Sequence, residues 1–309
     1  MPGRRRRADD GEAVRGGVLV IDKPPGPTSH DDVAVVRRVF RGAKVGHTGT
    51  LDPFATGVLP VVIGRATRLA RFLAGADKEY DALVRLGRST DTYDVTGRVV
   101  YEAPEGFSLP TPAAVADVVR GYLGSWMQTP PAYSAKQADG VRAYEQARRG
   151  KAVELAPVPV RVEAIDVLSV DGPLVRLRLV SSAGFYVRAL AQDLGERLGT
   201  GATLEGLRRL RSGAFGLGDA VTLDAVVRSE AGPRLLPLDG LLADWPAAVL
   251  TAEGVDWVAH GRAVGPGQCA GPLAAPTGRP VRLVGPDGTL LALGEPGPGG
   301  VLHPTVVLM

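Results

Sequence analysis

The sequence predicts an α+β fold: a large domain on a mixed, mostly antiparallel sheet, followed by a small C-terminal β-barrel. Three observations predict it. Strand-like alternation recurs in several segments, helical periodicity falls between them in no regular order, and beyond residue 243 short apolar runs alternate with Gly/Pro turns. At 309 residues, the chain is long enough for one large domain and one small one.

Residues 1–16 read as a disordered polar tail containing the basic run Arg4–Arg7. Gly17-Val-Leu-Val-Ile-Asp-Lys-Pro-Pro-Gly is a short apolar strand stopped by a turn. Ser29 is the expected N-cap of a helix to about Arg41, with Asp31 and Asp32 in its first turn and Val33, Val36 and Phe40 at helical spacing. From Lys78 to Arg85 the pattern alternates, with Tyr80, Ala82 and Val84 on one face and Asp81, Leu83 and Arg85 on the other. Thr111 caps, and Pro112 opens, a helix through Val115, Val118, Val119 and Leu123. Val141–Arg149 reads as a short basic helix ended by Gly150. Val158–Val167 and Leu174–Ser181 alternate as strands. Val187, Leu190, Ala191, Leu194 and Leu198 then mark a helix stopped by Gly199. The expected division is a tail (1–16), a large domain (17–243) and a barrel module (244–309).

The net charge of +3 hints at a polyanionic partner, and its distribution says more. Residues 1–15 hold five Arg against three acids, a net +2; residues 244–309 hold three Arg against five acids, a net −2; the middle therefore carries +3. Arg142, Arg148, Arg149 and Lys151 are the densest basic segment outside the tail. No apolar run approaches a membrane span and the N-terminus has no secretory pattern, so a cytoplasmic protein is expected. Cys269 is the only cysteine, which excludes internal disulfides and Cys-based zinc sites, and His30, His47, His260 and His303 lack metal-ligand spacing. The sequence contains no nucleotide-phosphate loop, which disfavours small-molecule metabolic chemistry.

The stretch Gly46-His-Thr-Gly-Thr-Leu-Asp52-Pro-Phe-Ala-Thr-Gly-Val-Leu-Pro60 is a Gly-punctuated loop with a histidine and an aspartate near its centre. Alone, Asp52-Pro53 would be an ordinary turn whose carboxylate accepts backbone amides. By the same standard Arg188 would be a surface charge, Tyr80 and Leu207 core residues, His47 a polar loop residue and Lys23 part of a turn.

That stretch resembles the catalytic motif of the TruB pseudouridine synthase family. The shared order continues through Gly17–Pro25, Lys78-Glu-Tyr80, Thr129-Pro-Pro-Ala-Tyr-Ser-Ala-Lys136, Ser182-Ala-Gly-Phe-Tyr-Val-Arg188 and Leu207-Arg-Arg-Leu210, so the resemblance spans about residues 17 to 215. It implies a pseudouridine synthase-like catalytic domain with a PUA-like C-terminal module. It also implies a stand-alone, monomeric enzyme that isomerises uridine-55 in the T-loop of tRNA, with no cofactor, no metal and no obligate protein partner.

The resemblance makes Asp52 the catalytic carboxylate, Arg188 its ion-pair partner and Tyr186 a proton relay at the base. Tyr80 would stack on the target uracil, Leu207 would wall the pocket, His47 would fill the space left by the flipped base, and Lys23 would support the site. Arg142, Arg148, Arg149 and Lys151 would grip the RNA stem-loop through phosphates. Phe185 departs from the family pattern, where a small polar residue is common, and the acidic C-terminal module argues against a strong RNA grip there. Two alternatives share these features: a guide-RNA-dependent relative of the dyskerin type, and a binding-only tRNA-folding chaperone.

Overall fold

The computed structural model describes residues 16–134, 137–138, 141–142, 155–229, 232–272 and 279–309. The strands, in chain order, are β1 (Gly16–Lys23), β2 (Val45–His47), β3 (Thr56–Gly64), β4 (Lys78–Leu86), β5 (Arg88–Thr90), β6 (Val99–Glu102), β7 (Gly124–Gln128), β8 (Gln137–Ala138), β9 (Val141–Arg142), β10 (Val158–Asp171), β11 (Leu174–Ser181), β12 (Ala202–Ser212), β13 (Phe215–Gly216), β14 (Ala220–Val221), β15 (Leu236–Pro237), β16 (Ala247–Val249), β17 (Val281–Val284), β18 (Leu290–Pro296) and β19 (Leu302–Val307). The α-helices are α1 (Ser29–Val39), α2 (Ala70–Ala74), α3 (Pro112–Arg120), α4 (Val187–Arg197), α5 (Leu223–Arg228) and α6 (Ala252–Ala259).

Among the described residues the large sheet runs β14-β1-β3-β12-β4-β11-β10-β7. It is mixed but mostly antiparallel; the parallel pairs are β1 with β14 and β3 with β12. Strand β12 is the seam. It runs antiparallel to β4 from Ala202 to Ser212 and touches β3 only at Thr56 and Gly57. The half of the sheet that carries the Asp52 loop therefore meets the half that leads into α4. Gly57 is required there: its φ is +100°, and a Cβ would lie 2.2 Å from the carbonyl oxygen of Arg209.

Burial follows the sequence pattern. β3 is apolar along its length and buried on both faces, whereas β4 alternates strictly between buried and half-exposed positions. Helices α3 and α4 cover one face, packing Val115, Val119, Leu190 and Leu194 against Ala82, Val84, Leu177 and Leu204. Each such aliphatic side chain contributes roughly 1.5–3 kcal/mol on burial. Helices α1 and α5 cover β1 and β3 on one side, through Val33, Val36 and Val226. On the other side the C-terminal sheet contributes Val284, Leu290 and Leu293 to a cluster with Val18, Val58 and Leu69.

Three expectations change. The N-cap of α1 is Thr28, not Ser29: the Thr28 hydroxyl accepts from the Asp31 amide and the Asp31 carboxylate accepts from the Thr28 amide. Val141 and Arg142 form strand β9 against β8 rather than beginning a helix. In the sequence, Asp139-Gly140 between those strands is a tight-turn signal that helical spacing alone does not register. Residues 143–150, the rest of the expected basic helix, lie outside the described residues, as do Arg4–Arg7. The C-terminal strands form an open four-stranded sheet, β16-β17-β18-β19, with no closed barrel among the described residues, and they share the module with α6. That helix is one eight-residue segment containing Gly254, too short for a clear sequence period.

Candidate active site

The Asp52 loop joins β2 to β3, and its chain just after Asp52 is held by the end of β1 and the turn that follows. Lys23, only 1% exposed, donates to the carbonyl oxygens of Pro24 (2.8 Å), Pro53 (3.1 Å) and Ala55 (3.1 Å). The Gly26 amide also donates to Pro53 O, at 2.8 Å. Lys23 thus acts on the loop backbone from behind.

Arg188 is the second residue of α4 and is buried, not the surface charge that helical spacing alone would suggest. Its Nη2 lies 2.9 Å from Asp52 Oδ1 and donates to Tyr133 O at 3.0 Å; its Nη1 donates to Thr92 O at 3.1 Å and lies 3.5 Å from the Asp94 carboxylate. Two backbone carbonyls and two carboxylates therefore set the guanidinium. Asp94 is itself fixed, because its Oδ1 accepts from Thr92 Oγ1, Thr96 N and Thr96 Oγ1.

Burial pushes the Asp52 carboxyl above the ordinary carboxylate range, and the Arg188 guanidinium opposes that rise. The negative charge of Asp94 adds to it. The Asp52 side chain keeps 32% of its surface open, yet protein surrounds the space it opens into, so a solute can reach the carboxylate while bulk water solvates it poorly.

The remaining residues converge on the same cleft, about 620 Å³ in volume, whose walls include Asp52, Tyr80, Tyr186, Arg188, Leu207 and Arg209. Tyr186 immediately precedes α4, and the Gln128 side-chain amide holds its backbone: Tyr186 N–H donates to Gln128 Oε1 and Gln128 Nε2 donates to Tyr186 O, both at 2.9 Å. Burial raises the Tyr186 phenol above its ordinary value, which keeps it protonated near neutrality. Tyr80 lies on the buried face of β4, with its hydroxyl against the Arg209 guanidinium. Phe185 also lines the cleft and packs edge-on against Trp126, with ring centroids 6.1 Å apart.

His47 does not line the cleft; His30 does, standing edge-on to His47 at 5.2 Å. His47 Nδ1 accepts from the Gly49 amide at 3.3 Å, which leaves the proton on Nε2, and burial lowers its basicity. Arg142 lies in β9; Arg148, Arg149 and Lys151 lie outside the described residues. Among the described residues no cluster of His, Cys, Asp and Glu is arranged to hold a metal ion, and no helix is long and apolar enough to cross a membrane.

Sequence reasoning missed Asp94 and Arg209. Asp94 sits in a Thr/Asp turn with no period to mark it. Arg209 belongs to the Leu207–Leu210 motif, but only the strand register shows that it points inward. It is 1% exposed and donates to Val58 O (2.7 Å) and Gly49 O (3.0 Å), whereas Arg208 points out to Asp22 at 2.8 Å. A larger cleft, about 930 Å³, lies between α2, β13 and residues 236–245 and contains none of these side chains.

Comparisons with known proteins place the chain in a family. Residues 37–187 match the TruB family pseudouridylate synthase N-terminal domain, and residues 188–243 match the tRNA pseudouridylate synthase B C-terminal domain. The chain is 44% identical over 297 residues to the tRNA pseudouridine synthase B of Solibacter usitatus (strain Ellin6076), covering 94% of this chain and 99% of that protein. It is 44% identical over 294 residues to the protein of the same name from Mycobacterium sp. (strain KMS), covering 93% and 95%. Among solved structures, a Cbf5-Nop10-Gar1 complex superposes with a TM-score of 0.73 at 29% identity, covering 97% of this chain and 87% of that one.

The fold is that of a pseudouridine synthase. Within that class, the chain belongs to the TruB family.

Proposed function

We propose that the protein converts uridine-55 in the T-loop of tRNA to pseudouridine, acting alone and without a cofactor. The observation that carries this reading is the 2.9 Å Arg188–Asp52 pair at the cleft that Tyr80, Tyr186 and Leu207 also line. The full-length similarity to proteins named tRNA pseudouridine synthase B supports tRNA as the substrate.

The reaction breaks the bond from C1′ to N1 and joins C1′ to C5; the C5 proton is lost and N1 gains one, so nothing is oxidised. Asp52 forms the covalent adduct that holds the pieces together, and Arg188 keeps it ionised and oriented. The flipped uracil stacks on Tyr80 against Leu207, and Tyr186 relays the C5 proton. His47, with His30 at the rim, supports the RNA where the base has left. Lys23 holds the loop from behind. Enclosure by the cleft walls keeps water from the intermediate.

Arg142, Arg148, Arg149 and Lys151 contact stem-loop phosphates, which gives salt-dependent affinity with little sequence reading. Residues 17–243 form the catalytic domain, after a tail over 1–16, and residues 244–309 a PUA-like module. Support for that boundary is the end of the family match at residue 243 and the separate apolar cluster of Ala248, Leu250, Val258 and Leu283. The protein works as a cytoplasmic monomer.

The test is incubation of wild type and Asp52→Asn with unmodified tRNA transcript, followed by mapping of pseudouridine. A single T-loop product from wild type alone, with no added guide RNA, is the expected result. Product only when guide RNA is supplied would overturn the stand-alone reading, and none at all on tRNA that the protein binds would leave the chaperone.

A further inference from the structure

Serine at the start of a helix ordinarily caps it. In α1 that task belongs to Thr28, so the hydroxyl of Ser29 is left for something else. Ser29 is 0% exposed, and its Oγ accepts from the Leu51 amide at 2.9 Å and donates to the Leu51 carbonyl oxygen at 3.1 Å. One hydroxyl thus satisfies both backbone polar groups of a residue that is itself only 3% exposed.

Leu51 immediately precedes Asp52. Its carbonyl belongs to the peptide unit whose N–H is that of Asp52, and its amide belongs to the unit before. A group bonded to both prevents the paired rotation by which a loop residue swings its neighbour's side chain. On the far side of Asp52 the backbone is already held, at Pro53 and Ala55, by Lys23 and Gly26. The loop is therefore gripped on both sides of the carboxylate, and Ser29 supplies the grip next to it on the N-terminal side.

We infer that Ser29 is a positioning residue for the reaction: through Leu51 it sets the direction of the Asp52 carboxylate toward Arg188 and the substrate. Ser29 borders the cleft but has no exposed surface, so it acts through Leu51 and not by contact with RNA. Without the hydroxyl, the buried Leu51 amide and carbonyl must find water or move, and the carboxylate moves with them. A misplacement of about 1 Å costs on the order of 100-fold in rate.

The inference rests on the proposed pseudouridine synthase activity, and the test separates the two. Single-turnover conversion of unmodified tRNA transcript is measured at saturating protein for wild type, Ser29→Ala and Ser29→Cys, together with the tRNA dissociation constant and the thermal midpoint, at a temperature well below each midpoint. Expected is a fall of roughly 10- to 100-fold for Ser29→Ala, with tRNA affinity within about twofold of wild type. Ser29→Cys, similar in shape but a weak hydrogen-bonding group, falls between. A simple packing role would leave Ser29→Cys at the wild-type rate, and that outcome overturns the inference, as does a Ser29→Ala rate within twofold of wild type. A loss confined to tRNA affinity overturns it too. If Ser29→Ala does not fold, Ser29→Cys decides alone: a slowed rate in a cooperatively folded protein supports the role, and a wild-type rate sinks it. Absence of product from wild type would instead fail the proposed function.

Discussion

Arg188 and Asp52 are 136 residues apart in the chain, and their side chains meet at 2.9 Å because β12 joins the two halves of the large sheet. The guanidinium also faces Asp94, 3.5 Å away, so it is shared between a carboxylate that opens into the cleft and one that does not.

Removing Arg188 should move the pH dependence of the reaction. Burial holds the Asp52 carboxyl above its ordinary range, and Arg188 pulls it down. In Arg188→Met the pull is gone while the repulsion from Asp94 remains, so the carboxyl rises further. In the proposed mechanism the ionised form reacts, so the acidic limb of the single-turnover pH–rate profile shifts to higher pH, with a loss at neutral pH of roughly 100-fold or more. Superimposable acidic limbs in the two proteins would contradict this.

Asp52 should cost stability at neutral pH. An acid whose folded value is raised binds its proton more tightly when folded. Its penalty is absent below the ordinary carboxylate value, grows as pH rises through the interval up to the raised value, and is then constant. Asp52→Asn carries no such penalty and keeps an oxygen for Arg188, so its thermal midpoint at pH 7 should equal or exceed that of wild type, with the gap closing toward pH 4. A fall of more than about 4 °C, on the order of 1–2 kcal/mol, would refute the assignment.

Tyr80 should act through its ring. Tyr80→Phe keeps the stacking face and loses only the contact with Arg209, so kcat/KM stays within about tenfold of wild type. Tyr80→Ala removes a stacking surface worth about 1–3 kcal/mol per base and falls roughly 10- to 100-fold further. Equal activity of the two variants would show that the ring does not meet the base.

Lys23 should be a stability residue coupled to Asp32. Asp32 is 1% exposed, its carboxylate oxygens have no direct hydrogen-bond partner, and Lys23 is the nearby positive charge that opposes the effect of its burial. Lys23→Met breaks two bonds to the loop and one to Pro24 O, and leaves that carboxylate uncompensated, at a cost of about 3 kcal/mol or more. Lys23→Met with Asp32→Asn should cost less than the sum of the single changes in urea unfolding; strict additivity would mean that the two groups do not communicate.

Much of the fold was legible because its signals are local. The alternation from Lys78, the strand Leu174–Ser181, the helix opened by Pro112 and the helix stopped near Gly199 each follow from a side-chain period plus a cap or breaker. The errors came where two local signals compete. Thr28 and Ser29 are both good caps, and only packing against Leu51 decides which of them serves. At Val141 a turn dipeptide stands beside helical spacing, and Val141 and Arg142 pair with Gln137 and Ala138 as strands.

The sequence by itself determined the family's ordered motifs and the strand and helix periods, and marked Asp52 as the candidate carboxylate, because these depend on residues close together in the chain. The tertiary structure alone decided that Arg188 faces inward, that Asp94 shares it, that Arg209 is buried while Arg208 is not, and that Ser29 grips Leu51. Those facts depend on sheet order and strand register, which join residues as far apart in the chain as Gly17 and Pro237. A one-residue change of register would reverse every side chain of β12, and no local pattern of charged residues specifies which of two neighbouring arginines the fold will enclose.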